Sequence, residues 1–240
     1  AAVDTLQSFG TQPFIVPAMG SHGGATPEGQ LEVLASYGIT EETMGVPIRA
    51  EMDVVEVGRT PEGVPVYISR PAYEADGILV VGRVKPHTCY RGPNESGLMK
   101  MMVIGLGKHK GATTIHHQGF AAFHELIPAA GRVILKNAPI AAGLGIVENG
   151  YDETMIIQAV HPDRFEEEDA RLLEIARKSM ARILFDEFDL LIVEEIGKNI
   201  SGDGMDPNVI GRYMPDFMAK QEHKPYIQRI VALSLTEETH

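Results

Sequence analysis

Apolar and polar positions along the chain alternate between two rhythms, short continuous apolar runs and longer stretches with helical spacing. PFIVPAM (13–19) is an apolar run that predicts a buried strand, and it ends in the loop Gly20-Ser21-His22-Gly23-Gly24. Thr26 as N-cap, Pro27 at the first helical position and Glu28 in the first turn predict a helix, with Leu31, Val33 and Leu34 on its apolar face and Gly38 ending it. MDVVEVGRTPEGVPVYIS (52–69) alternates into a hairpin turning at Pro61-Glu62-Gly63. GILVVGRV is a continuous apolar run of the kind found in parallel strands covered on both faces, and it delivers Lys85-Pro86-His87 at its carboxyl end. Pro86 lacks an N–H and biases Lys85 to extended geometry, so His87 is expected to project from a loop. SGLMKMMVIGLG (96–107) exceeds an ordinary strand, and its methionines fit a buried helix with Lys100 as its one charge.

Further on, Phe120 to Ala130 predicts a helix, RVILKNAPI a strand, and GLGIVENGYDETMIIQAV a hairpin closed near Asn149-Gly150. Asp163 to Phe185 predicts one long amphipathic helix burying Phe165, Leu172, Leu173, Ala176, Met180, Ile183 and Leu184. FDLLIVEEIG then starts a new strand, followed by the Gly/Asp/Asn/Pro-rich loop KNISGDGMDPNVIGR. The expected fold is α/β, in two lobes, each a mainly parallel or mixed sheet flanked by helices. Its site should lie at the carboxyl ends of strands and between the lobes. The expected division is a catalytic lobe at 1–162, a linking helix at 163–185 and the start of a second lobe at 186–240. The chain begins without Met and stops at TEETH just after the strand-like RIVALSL, so a fragment is expected.

Composition narrows the function classes. With 33 acidic against 21 basic residues, no Trp and few aromatics, the chain is a poor nucleic-acid binder. No apolar stretch reaches bilayer-spanning length, so no membrane partner is expected. Cys89 is the lone cysteine, which excludes an internal disulfide framework and makes a reducing, cytoplasmic setting the expectation.

Against this acidic background, residues 83–117 carry six Lys/Arg, the single acid Glu95 and four of the nine histidines. A basic, His-rich, Gly-rich segment of this kind suits an anionic ligand, with or without a metal. His22 and His87 each follow an apolar strand. Two imidazoles at neighbouring strand ends can face one substrate as general base and acid. The competing reading for each is a loop histidine that caps a helix or bonds a carbonyl. His116-His117 can supply one metal ligand, but neither HExxH nor paired CxxC accompanies them, so further ligands must come from elsewhere or from a cofactor. GLGKHKGA lacks the P-loop order. Cys89 reads as a small packed thiol rather than a nucleophile. Lys198, Asp203 and Asp206 can bind a carboxylate or hydroxyl, or simply make turns.

Taken in order, AMGSHGG (18–24), VKPH (84–87), GLMKMMVIGLG (97–107), His116 and EEIGKNISGDGMDP resemble the nickel-dependent lactate racemase family over roughly 13–215. The resemblance implies His22 and His87 as the catalytic pair. It implies Lys100 as the residue tethered to a nickel-pincer nucleotide, a pyridinium thioamide/thiocarboxylate mononucleotide, and His116 as the nickel ligand. Lys85, Gly23 and Gly24 fall beside the implied cofactor, and Lys198 is a candidate substrate contact. Two departures stand out. CYRGPNES replaces a Gly/aromatic loop between His87 and Lys100, which implies a substrate other than lactate, and the sequence starts too late to include the family's arginine and acid upstream of the first histidine.

The activity implied is racemisation or epimerisation of a small anionic 2-hydroxy acid or sugar acid. Hydride leaves the carbinol carbon for the cofactor and returns to the other face, while the two histidines handle the hydroxyl proton. Enzymes that make the cofactor would be transient partners. Two alternatives stand beside it: a non-catalytic α/β module binding a phosphorylated small molecule, and a pyridine-nucleotide dehydrogenase, which the missing GxGxxG disfavours.

Overall fold

A computed structural model describes residues 1–214, 218 and 223–239; residue 215, the far end of the family resemblance, lies outside them. The first part of the chain runs α1 (Ala2–Ser8), α2 (Pro27–Ser36), α3 (Glu41–Met44), β1 (Val54–Arg59), β2 (Pro65–Ser69), α4 (Arg70–Tyr73), β3 (Ile78–Arg83), α5 (Leu98–Lys100), α6 (Lys108–His116), α7 (Phe123–Asn137), β4 (Ile140–Glu148) and β5 (Thr154–Val160). Then come α8 (Phe165–Ser179), β6 (Glu187–Ile196), α9 (Pro207–Ile210) and β7 (Tyr226–Leu235). The sheets are an antiparallel β1–β2 hairpin, a mixed sheet in the order β3-β4-β5, and a parallel β6–β7 pair. This is the α/β architecture with mixed and parallel sheets that the pattern predicts. No helix among the described residues is long and apolar enough to cross a membrane.

Strand β4 is central, and its buried face is Gly143, Gly145 and Val147. A Cβ at Gly143 would lie 2.7 Å from the Phe165 ring and 2.8 Å from Leu98, and one at Gly145 would lie 2.6 Å from Leu172. The missing side chains let α5 and α8 sit directly on the sheet. Phe165, Leu98, Met99, Ile127 and Ile134 fill one core, and Val84, Val147, Leu172, Leu173 and Ala176 a smaller adjoining one. Each large side chain so buried contributes about 1.5–3 kcal/mol.

Five expectations are corrected. PFIVPAM joins no sheet: Pro13 and Pro17 lack N–H donors, and only an isolated parallel bridge joins Ile15 to Ile48. RVILKN continues α7 rather than forming a strand. Phe123, Leu126, Ile127, Ala130 and Ile134 share its buried face at helical spacing, which outweighs the β-branched pair at 133–134. Helix α8 stops at Ser179, where Met180 turns extended (ψ 158°), leaving Leu184 and Phe185 exposed. Strand β3 is covered on one face only, with Val81 and Arg83 outside. On α2 the buried residue is Gln30, not Leu31.

Candidate active site

The loop bearing His22 is held by backbone contacts rather than by a neighbouring strand. Gly20 (φ +60°) donates its N–H to the Gly105 carbonyl at 3.1 Å, and a Cβ on Gly105 would lie 2.5 Å from the Ala18 oxygen. Gly23, Gly24 and Ala25 all have positive φ, 63°, 63° and 57°, a left-handed turn that delivers the chain to the Thr26 N-cap. Beneath it, the buried Gln30 amide donates to Gly20 O at 2.9 Å and His22 O at 3.3 Å. Its own oxygen accepts from the buried Lys108 ammonium at 3.2 Å, which also donates to Pro17 O at 2.8 Å. Lys108 is held well below the usual lysine range, at about 8, by burial. The His22 ring is exposed, and its pKa is lowered by partial burial and then by the charges of Lys100 and Lys198.

His87 is fixed at every polar backbone atom. Its N–H donates to Glu95 Oε2 at 2.6 Å, and its carbonyl accepts from Arg91 Nη1 at 2.6 Å and from Asn208 Nδ2 at 3.4 Å. The Cys89 N–H donates to ring Nδ1 at 2.9 Å, which puts the proton of the neutral imidazole on Nε2. Burial, and then the charge of Lys100, push its pKa down to about 2, so at neutral pH His87 presents an N–H. Glu95, itself buried, also accepts from Arg177 at 2.6 Å and from the Gly92 N–H at 3.2 Å.

Lys100 ends α5 and is followed by one turn of π-helix, Met101–Gly105, in which Leu106 N donates to Met101 O at 2.9 Å. Such turns concentrate at functional sites. The start of α5 is capped from another helix: buried Asp169 of α8 accepts from Leu98 N at 2.7 Å, Met99 N at 3.4 Å and Asn94 Nδ2 at 3.3 Å. Burial pushes Asp169 up to about 6. Lys100 is held at about 8, by burial and then by Lys85. Its positive charge lowers the pKa of His22, His87 and His116 alike.

His116 closes α6. Its ring lies 5.4 Å from Phe120 and 5.2 Å from Phe123, and the His87 ring lies 6.2 Å from Phe120, so both histidines flank one aromatic wall. Among the described residues no group of three His, Cys, Asp or Glu side chains could hold a metal alone. A metal at His116 therefore needs donors brought by a bound group, and the neutral imidazole beside a lysine of lowered pKa fits such a group. Gly24 faces open space, whereas Gly23 is packed against Gly29. Lys85 is exposed, bridged by its backbone to Ser96. Lys198 is exposed and reaches the site through its field on His22. Asp206 is an N-cap, accepting from Asn208 N at 2.8 Å.

Gln30, Lys108, Arg91, Glu95 and Asp169 are the groups that sequence reasoning left without a role. Two of them carry a signal in the sequence. Asp169 is an acid between Phe165 and Leu173 on the apolar stripe of α8, and Glu95 is the lone acid of a basic stretch.

Comparison with known proteins bears on this arrangement. The profile of the lactate racemase N-terminal domain matches residues 2–125. Among solved structures, the lactate racemase apoprotein from Thermoanaerobacterium thermosaccharolyticum is similar, with a TM-score of 0.55 and 18% identity over 77% of this chain. The match covers 45% of that protein, so this chain spans less than half its length. No curated protein matches.

Proposed function

Since this chain belongs to the family defined by the lactate racemase N-terminal domain, we propose that it racemises or epimerises a 2-hydroxy acid or sugar acid, using a nickel-pincer nucleotide. The proposal is carried by His87 and His116 flanking one aromatic wall at Phe120, with Lys100, at the start of a π turn, acting by its charge on both and on His22. In this reading the cofactor supplies a reversible hydride acceptor for the carbinol carbon. Lys100, with a substantial neutral fraction near pH 8, holds it covalently. His116 is the protein's nickel ligand, and Lys85, Gly23 and Gly24 line the cofactor.

The two catalytic histidines are not equivalent. His22, whose ring makes no hydrogen bond among the described residues, takes the hydroxyl proton of the substrate. His87 offers its Nε2–H to the substrate oxygen, and accepts a proton in turn only by giving up the Cys89 bond at Nδ1. Lys198, whose field reaches His22, is the proposed contact for the substrate carboxylate. In this reading the site lies between a lobe of residues 1–162 and a second lobe at 186–240, joined through 163–185.

The test matures the intact protein with the cofactor-making enzymes, then measures nickel content and the mass of the Lys100 peptide. It also follows inversion of C2-deuterated hydroxy acids by chiral chromatography. Bound nickel, an adduct at Lys100 and inversion with the deuterium retained are expected. Washing-out of the label would replace hydride transfer with proton abstraction. Absence of nickel, adduct and turnover, with an anion still bound, would return the chain to a binding module.

A further inference from the structure

We propose that Arg91 is a positioning residue through which the 206–213 segment sets the orientation of His87; this rests on His87 belonging to the site just proposed. Arg91 sits in the CYRGPNES stretch and divides its guanidinium between two parts of the chain. Nη1 donates to the His87 carbonyl at 2.6 Å and the Tyr90 carbonyl at 3.1 Å, with Glu95 Oε2 at 3.6 Å. Nη2 donates to Asn208 Oδ1 and to the Tyr213 hydroxyl, and the guanidinium carbon stands 4.9 Å from the Tyr213 ring.

The far end is itself oriented. Asn208 Nδ2 donates to Asp206 Oδ1 at 2.8 Å, which turns Oδ1 toward Arg91, and the Tyr213 hydroxyl donates to that same oxygen at 3.1 Å. Glu95 holds the His87 N–H while Arg91 holds its carbonyl, so the peptide units on both sides of His87 are set by this pair. A planar, five-donor fork can serve both clusters at once, and a lysine ammonium cannot. The 206–213 segment thus reaches the His87 carbonyl through Arg91 at 2.6 Å and, at the longer 3.4 Å, through Asn208 Nδ2 itself, so Arg91 makes the shorter of the two links.

The test is site-resolved carbethoxylation by diethyl pyrocarbonate, read by mass spectrometry on the intact protein, with His22 and His116 as internal references. Tyr213→Phe touches no atom of His87, yet it is expected to change the His87 labelling rate by about threefold or more while His22 and His116 keep theirs. Arg91→Met should do at least as much, Arg91→Lys should not restore the rate, and Arg91→Met combined with Tyr213→Phe should match Arg91→Met alone. The proposal is overturned if His87 labels at the wild-type rate in Tyr213→Phe, or if all three histidines accelerate together, which would mean general loosening. Should Arg91→Met fail to fold, the Tyr213→Phe result decides. Labelling needs neither cofactor nor substrate, so its outcome is separate from that of the racemase test.

Discussion

Replacing Asp169 by asparagine isolates the charge of a buried carboxylate that caps the start of the helix ending at Lys100. Asp169 is 1% exposed, and its pKa is raised from 3.8 to about 6, by burial first, with its donors from Leu98, Met99 and Asn94 pulling the other way. Between those two values the folded chain holds this proton more often than the unfolded chain does. Stability therefore falls as pH rises through the window, by about 3 kcal/mol in all. Asparagine keeps an acceptor oxygen but cannot ionise. Urea unfolding of the two proteins from pH 3.5 to 7.5 should show the wild type losing about 3 kcal/mol relative to Asp169→Asn, with the difference flat above pH 7. Parallel pH profiles would mean that the carboxylate is no costlier in the fold than in water, and that burial does not raise its pKa. Asp169→Ala provides the contrast: it strands three buried donors and should cost on the order of 3 kcal/mol or more at every pH.

Three further outcomes follow from the same contacts. Gly97→Ala would put a Cβ 2.1 Å from Asp169 Oδ1 in a backbone already extended (φ −179°), so steric displacement should cost roughly 1–3 kcal/mol, and most of that loss should vanish in an Asp169→Ala background. Lys108, lowered from 10.5 to about 8 by burial, holds fewer protons folded than unfolded between those values; stability relative to Lys108→Met should rise by about 3 kcal/mol from pH 8 to 10.5, and equal slopes in urea unfolding would contradict it. Lys100 should react with trinitrobenzenesulfonate along a pH profile with its midpoint near 8, read on its tryptic peptide; a midpoint above 10 would remove the case for a nucleophilic lysine.

Local chemistry was legible where a few neighbouring residues decide the outcome. The Thr26-Pro27 helix start, the Asn149 turn and the alternating 54–69 hairpin all stand as their residues predict. It was not legible where distant packing decides. RVILKN has β-branched residues, yet its fate turns on whether Ile134 reaches the same core as Phe123 and Ile127. The run at 13–19 looks like a strand until its two prolines are weighed against the bonding a sheet requires. For the site, residue types and order pointed to His22, His87, Lys100 and His116. Their supports, Gln30 beneath one histidine and Glu95 with Arg91 beside another, lie far from obvious in a linear reading, because a buried polar group acquires its meaning only from the carbonyl or N–H it meets.

The π turn after Lys100 has a consequence for how this site tolerates change in length. Bonding Leu106 to Met101 takes up one residue more than an α-helical turn would, and each residue of helix is worth about 100° of rotation. Deleting one residue from 101–105 would restore regular winding with little change of bearing on either side, since the π turn spreads one more residue over about the same rotation. The lysine would keep its direction, and the loss would fall on the widened turn, whose last residue, Gly105, holds the Gly20 N–H with its carbonyl. Such a deletion should therefore loosen the His22 loop before it unseats Lys100.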